Sequence, residues 1–191
     1  GERVNETLVF KSKEDTQTPL TSVLKNRKLW VMGISIGGAM VAQSGFATFW
    51  PTLAEDKLGI SGSFAGLTLG VMTFAAAPTD FLVNALPSLV KRRSLVLASC
   101  GIASTVAYIG LTLTTSSAVI LLLGILRGFA FAYFPALMIM VFLMEDIKPR
   151  EVGIGLAFME TSIWIGAGIG PLLVGFIQES TGNLQLALLI C

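Results

Sequence analysis

Between Lys28 and Glu55 the chain runs for 26 residues, Leu29 to Ala54, without one charged side chain. An α-helix rises about 1.5 Å per residue, so about 20 such residues cross the hydrocarbon core of a bilayer. The pattern then repeats. Lys57 to Lys91 encloses a second apolar run that holds one charge, Asp80, and Arg93 to Arg127 encloses 33 uncharged residues divided by the polar stretch Thr114-Thr115-Ser116-Ser117. Membrane spans are therefore predicted at about 29–54, 62–88, 94–113, 118–143 and 152–177, the fourth carrying Arg127 and the fifth Glu160. After the turn Glu179-Ser180-Thr181-Gly182-Asn183 a sixth apolar run, 184–191, is too short to span, and the chain reads as cut within it. These runs far exceed the alternating segments of about 10 residues that build a barrel. The predicted fold class is an all-α membrane protein, a polytopic transmembrane helix bundle of five complete spans plus a partial sixth.

Composition narrows the chemistry. Charged residues make up 13% of the chain, about half the usual share in soluble domains, and there is no histidine and only two cysteines, Cys100 and Cys191. That inventory leaves no clustered metal ligands, no disulfide framework and no histidine-based triad, so neither a metal nor another cofactor is expected, nor an enzyme. A net charge of +1 argues against a nucleic-acid partner. The partner predicted instead is the lipid bilayer.

The basic residues set an orientation. Arg3, Lys11, Lys13, Lys25, Arg27 and Lys28 lie in the tail, Lys91, Arg92 and Arg93 between the second and third spans, and Lys148 and Arg150 between the fourth and fifth. All of these fall on one side of the membrane, against Lys57 alone on the other, which places residues 1–28 in the cytoplasm and suggests a cell (plasma) membrane protein. The Asn5-Glu6-Thr7 sequon on that side is read as chance. Trp30 and Trp50, at the two ends of the first span, are expected to sit in the interfacial belts.

Four spans carry glycines four apart: Gly33/Gly37, Gly66/Gly70, Gly124/Gly128 and Gly166/Gly170. Such pairs share one helix face and allow another backbone to approach closely, which in lipid replaces the hydrophobic effect as the source of packing. Pro78, Pro135 and Pro171 fall inside spans two, four and five and favour kinks. Span three has no proline, charge or tryptophan and is expected on the lipid-facing outside.

Three ionisable residues remain inside the membrane, each costing at least about 2.5–3.5 kcal/mol on insertion scales unless paired or hydrated. At 1.5 Å per residue Asp80 and Glu160 lie about 12 Å from the cytoplasmic end of their spans, and Arg127 about 13 Å from the outer end of its own. Buried among apolar helices, Glu160 would favour its neutral form and could exchange a proton near neutral pH. Its face continues through Trp164, Ala167, Gly168 and Pro171. Asp80, with Asn84 one turn on, is either a second coupling carboxylate or an anchor toward Lys91, Arg92 and Arg93. Arg127 keeps its charge and either pairs with a carboxylate to hold two helices together or meets an anionic group in a water-filled path. Gln43 is a polar candidate for the same path.

The order of these motifs resembles the C-terminal half of a major facilitator superfamily transporter, spans seven to eleven and the start of twelve. The segment from Pro19 to Trp30 looks like the end of that family's central cytoplasmic loop. Arg127-Gly128 followed by small and aromatic residues to Pro135 is similar to the family's arginine-glycine motif of span four and its repeat in span ten. Gly166-x3-Gly170-Pro171-x3-Gly175 is similar to the glycine-proline motif of span five, echoed in span eleven. One departure stands out. The family's Gly-x-Leu-x-Asp-Arg-x-Gly-Arg-Arg loop, aligned on Arg92 and Arg93, has Asn84, Ser88 and Lys91 in place of the first Gly, the Asp and the second Gly, so the acidic member is missing.

The resemblance implies a major-facilitator-type half-bundle that needs the missing N-terminal six-helix half as partner. It implies secondary active transport of a small solute by alternating access, coupled to protons or another ion. Gln43, Arg127 and Trp164 become cavity candidates, and Glu160 and Asp80 coupling candidates. Gly124, Gly128, Gly166, Gly170, Pro171 and Gly175 become the moving and packing surfaces. Spans one and four would line the cavity, two and five would gate it, and three would face lipid. The rival reading is a non-transporting membrane receptor or a half-length interaction protein that binds through its glycine faces.

Overall fold

A computed structural model of the chain describes residues 19–85 and 93–191. Among them every regular element is helical. A short helix α1 (Pro19–Leu24) leads into α2 (Arg27–Asp56), followed by α3 (Gly62–Ala85), α4 (Arg93–Leu113), α5 (Ser117–Ala130), α6 (Tyr133–Phe142), a 3-10 turn at Pro149–Glu151, α7 (Val152–Thr181) and α8 (Leu184–Ile190). With α5 and α6 taken as one crossing, five of these are long and apolar enough to span a membrane. The helices match the charge-delimited runs as far as these are described, residues 86–88 of the second run lying outside the described residues, and α7 continues four residues beyond the predicted end at 177. Lys91 and Arg92 lie outside the described residues. Arg93 opens α4, and its side chain, like that of Asp80 within α3, is also outside them.

Local chemistry fixes the ends. Asn26 caps α2, its Oδ1 accepting from the amides of Lys28 (3.0 Å) and Leu29 (3.4 Å). Gly182 ends α7 in the left-handed region (φ 66°), its amide donating to the Gln178 carbonyl, a conformation that a residue with a Cβ adopts only at a cost. Asn183 then caps α8.

Glycine faces organise the bundle into two helix pairs. The most extensive interface is α2 on α7, where a Cβ at Gly166 would overlap the Gly37 carbonyl and one at Gly170 would overlap the Val41 carbonyl. From the other side, Gly33 and Gly37 face Phe158 and Ser162. The second pair is α3 with α5, where a Cβ at Gly128 would stand 2.6 Å from the Met72 carbonyl oxygen. The close approach expected of Gly66 and Gly70 is not found, since both face open space. Gly175 is likewise loose, its nearest neighbour being the Phe49 ring at 3.8 Å.

Two apolar clusters close the ends of the bundle. One joins Phe46, Trp50, Leu53, Leu111, Ile120 and Val174. The other, at the end that carries Arg27 and Lys28, joins Leu29, Ile36, Tyr133, Val141, Met159 and Ile163 and takes in Val23 of α1. Trp50 is not an interfacial residue in this bundle: it is 0% exposed and stacked on Phe46 at 5.2 Å. Trp30 is half exposed and donates its indole N–H to the Leu24 carbonyl (2.8 Å). As expected of an outer span, α4 exposes Leu95, Ile102, Val106 and Leu113, yet its other face packs on α5 and delivers Tyr108 to the interior.

Candidate functional site

Arg127 occupies the last turn of α5, and the residues after it decide its surroundings. Pro135 has no amide hydrogen, and its ring would collide with the carbonyl four residues back, at Phe131. The helix therefore breaks just before it. Phe131 N–H donates to the Gly128 carbonyl (3.0 Å) and Ala132 N–H to that of Phe129 (3.2 Å), a tighter three-residue winding between α5 and α6. On a regular α-helix Tyr133, six residues after Arg127, would point about 120° away from it. The tighter winding turns it back. The Phe131 and Tyr133 rings come to lie 5.8 and 6.0 Å from the guanidinium carbon, and Tyr108 reaches across from α4 to 4.9 Å. Helices α3 and α7 run through Pro78 and Pro171 without such a break.

The guanidinium is enclosed at 4% exposure, and its Nη2 donates to Gln43 Oε1 of α2 at 2.9 Å. Its Nε–H has no hydrogen-bond partner. Among the described side chains no carboxylate is found within ion-pairing reach of Arg127, and the ion pair between Lys28 and Asp146 is exposed on the surface. Of the two roles open for Arg127, pairing with a carboxylate is thus not the one realised by the described residues. Among the described side chains its partners are an amide and three aromatic faces, none of which carries a compensating negative charge.

Two cavities meet at this layer. One, of about 210 Å³, lies toward Trp50 and is lined by Gln43, Phe46, Met72 and Thr73. The other, of about 390 Å³, lies toward the Lys28 end and is lined by Ser35, Ala39, Leu97, Ser104 and Leu137. Both share Arg127 and Tyr108 as a wall. The helices thus bring Gln43 and Arg127 together and leave Trp164 and Glu160 apart from them. Trp164 is 72% exposed on α7 and lines neither cavity. Glu160, one turn before it, is also exposed, so the burial assumed for it is absent from this half-bundle: its face of α7 is turned away from the glycine face that packs on α2. Glu151, unremarked in the sequence, is buried, its carboxylate accepting from the Lys148 amide (3.1 Å) across the 3-10 turn.

Tyr108, Tyr133 and Ser104 are the site residues that the sequence reading missed. A signal existed for two of them: the chain has two tyrosines, and both face Arg127.

Five membrane-length helices around a charged layer define an integral, multi-pass membrane protein. The chain matches the family model described as Major Facilitator Superfamily over residues 11–191, and it belongs to that family. It is similar to the cyanate transport protein CynX of Escherichia coli (strain K12), 25% identical over 179 residues. Those residues cover 92% of this chain and 44% of that protein, so the chain spans less than half of that relative's length.

Proposed function

We propose that the chain is the C-terminal half of a secondary transporter that carries a small anion by alternating access. One observation carries this reading: Arg127 is a buried cation with an amide, three aromatic rings and an unpaired Nε–H for company, flanked by cavities on both sides. A lone charge in a low-dielectric interior is costly, and an anion entering either cavity relieves that cost. The similarity to a protein named for cyanate, itself a small anion, supports the same class of solute.

The N-terminal half of the transporter is the partner that this arrangement requires. Glu160, Thr161 and Trp164 form an exposed stripe on α7, and a carboxylate facing hydrocarbon is unfavourable by about 2.5 kcal/mol or more. Apposition of a second half turns Glu160 from lipid into the interface between the halves, where hydration or a partner relieves that cost. Glu160 is the first coupling candidate and Asp80 the second. The lysine and arginine bias supports a cytoplasmic Lys28 end, and a cell membrane is the location that this reading proposes.

The test is uptake by the complete transporter in proteoliposomes, with labelled cyanate and acetate as probes and an imposed pH gradient. Arg127→Gln is expected to abolish uptake of both. Undiminished uptake in that variant would remove Arg127 from the solute path and, with it, the basis of the anion reading.

A further inference from the structure

Four buried side-chain polar atoms among the described residues have no hydrogen-bond partner: Trp50 Nε1, Ser104 Oγ, Arg127 Nε and Tyr133 Oη. Trp50 stands apart in the apolar cluster at the far end of the bundle. The other three belong to residues that line the same 390 Å³ cavity, brought there by α4, α5 and α6. Buried polar groups are normally satisfied, and leaving one unpaired costs about as much as a lost hydrogen bond. Three such atoms on residues that share one chamber wall mark a place where a ligand supplies the missing partners once the side chains turn to meet it.

We propose that this chamber binds the head of a monovalent anion between Arg127 and the hydroxyls of Ser104 and Tyr133, with a short apolar body directed toward Leu97 and Leu137. The assignment rests on the anion-transport reading and narrows its substrate class to small monocarboxylates. Charge sets the valence. One guanidinium lines the chamber and, among the described side chains, no carboxylate accompanies it, so the charge that these residues supply is balanced by a single negative one. A dianion would leave a net charge in a low-dielectric space and a neutral solute would leave the arginine uncompensated. Donor chemistry sets the head. An arginine N–H and two hydroxyls all donate, and a carboxylate accepts from every one of them. The rest of the wall sets the body: Ala39, Ala42, Leu97, Gly101 and Leu137 are apolar, and the hydroxyls of Ser35 and Thr105 already donate to the Val31 and Gly101 carbonyls of their own helices. The smaller cavity beyond Arg127 holds Gln43 and Thr73 but none of the unpaired hydroxyls, so the chamber on the Lys28 side is the tighter of the two sites.

The complete transporter, purified in detergent, tests this by thermal unfolding against increasing butyrate, phosphate and butyramide. Butyrate is expected to raise the unfolding midpoint saturably while phosphate and butyramide do not. Ser104→Ala and Tyr133→Phe should each weaken butyrate affinity about tenfold, the usual loss for one hydrogen bond to a charged acceptor. Ser104→Thr, which keeps the hydroxyl, should retain affinity. Without butyrate, Tyr133→Phe should unfold at the wild-type temperature or above it, because it removes an unpaired buried hydroxyl. A purely structural tyrosine would instead lower that midpoint. Wild-type butyrate affinity in both Ser104→Ala and Tyr133→Phe, or equal stabilisation by phosphate or butyramide, would overturn the assignment. Uptake separates the two levels of the argument. Arg127-dependent anion uptake that ignores Ser104→Ala and Tyr133→Phe would leave the transport reading standing and this site refuted, whereas butyrate binding without any uptake would refute transport and keep the site.

Discussion

Replacing Arg127 by methionine separates a guanidinium held for function from one held for structure. In this bundle its favourable contacts are few. The Tyr108 face at 4.9 Å is worth about 2 kcal/mol when desolvated, and the Phe131 and Tyr133 faces, at the limit of reach, about 0.5 kcal/mol each. The bond to Gln43 adds about 1.5–3 kcal/mol, as hydrogen bonds to charged groups do. Against these stand the several kcal/mol of desolvation that a buried ion costs and about 1–3 kcal/mol for the unpaired Nε–H. The two sides nearly cancel. Arg127→Met, which keeps the length and apolar volume of the side chain, should therefore change anion-free stability by less than about 2 kcal/mol and could raise it. Gln43→Leu should do the opposite, costing about 1–3 kcal/mol because it strips the guanidinium of its hydrogen-bond acceptor. Denaturation of the complete transporter in detergent, followed by circular dichroism without added anion, measures both. A loss of about 3–5 kcal/mol in Arg127→Met, the signature of breaking a buried ion pair, would show that a carboxylate pairs with Arg127 after all and would refute the uncompensated charge.

Three further outcomes follow from the packing and the polar positions. Gly166→Ala and Gly170→Ala place a methyl against the Gly37 and Val41 carbonyls of α2, where backbone cannot yield, and should each cost about 1–3 kcal/mol in the same assay; Gly66→Ala and Gly70→Ala, facing open space, should cost nothing and gain up to about 1 kcal/mol of helix propensity. Pro135→Ala restores an amide that can bond the Phe131 carbonyl and should straighten the α5–α6 break, stabilising the helix by up to about 3 kcal/mol while swinging Tyr133 off the guanidinium and lowering the rate of anion uptake. If Glu160 carries the coupling proton, Glu160→Gln should leave anion exchange intact and abolish uptake driven by a pH gradient; gradient-driven uptake at the wild-type rate would exclude it from coupling.

Much of the architecture was legible because lipid imposes a coarse rule. Charges punctuate the chain at helix ends, and the spacing of Lys28, Glu55, Arg93 and Glu151 marks four boundaries within a few residues of α2, α4 and α7. Glycine spacing was less informative. Gly66 and Gly70 share a face as regularly as Gly166 and Gly170 do, but a pair four apart states only that a backbone can approach, and no helix does so at Gly66. Pro135 could be read as a kink in the sequence, whereas its consequence could not. The tighter winding at Phe131 and Ala132 carries Tyr133 through a rotation that no regular helical wheel contains, and for that reason Tyr133 fell outside every face drawn for Arg127.

The site itself depends on how two closely packed helix pairs meet. Helices α2 and α7 lock through Gly37, Gly45, Gly166 and Gly170, and α3 and α5 through Gly124 and Gly128, while α2 touches α3 only sparsely. Arg127 belongs to one pair and Gln43 to the other, so their hydrogen bond is a contact between the units rather than within one. Both cavities open along that seam, with an apolar cluster at either end of it. Sequence periodicity describes each helix alone and is silent about a seam between pairs. An anion that draws the guanidinium away from Gln43 would therefore act on a polar contact between the two pairs, midway between the apolar clusters that also join them.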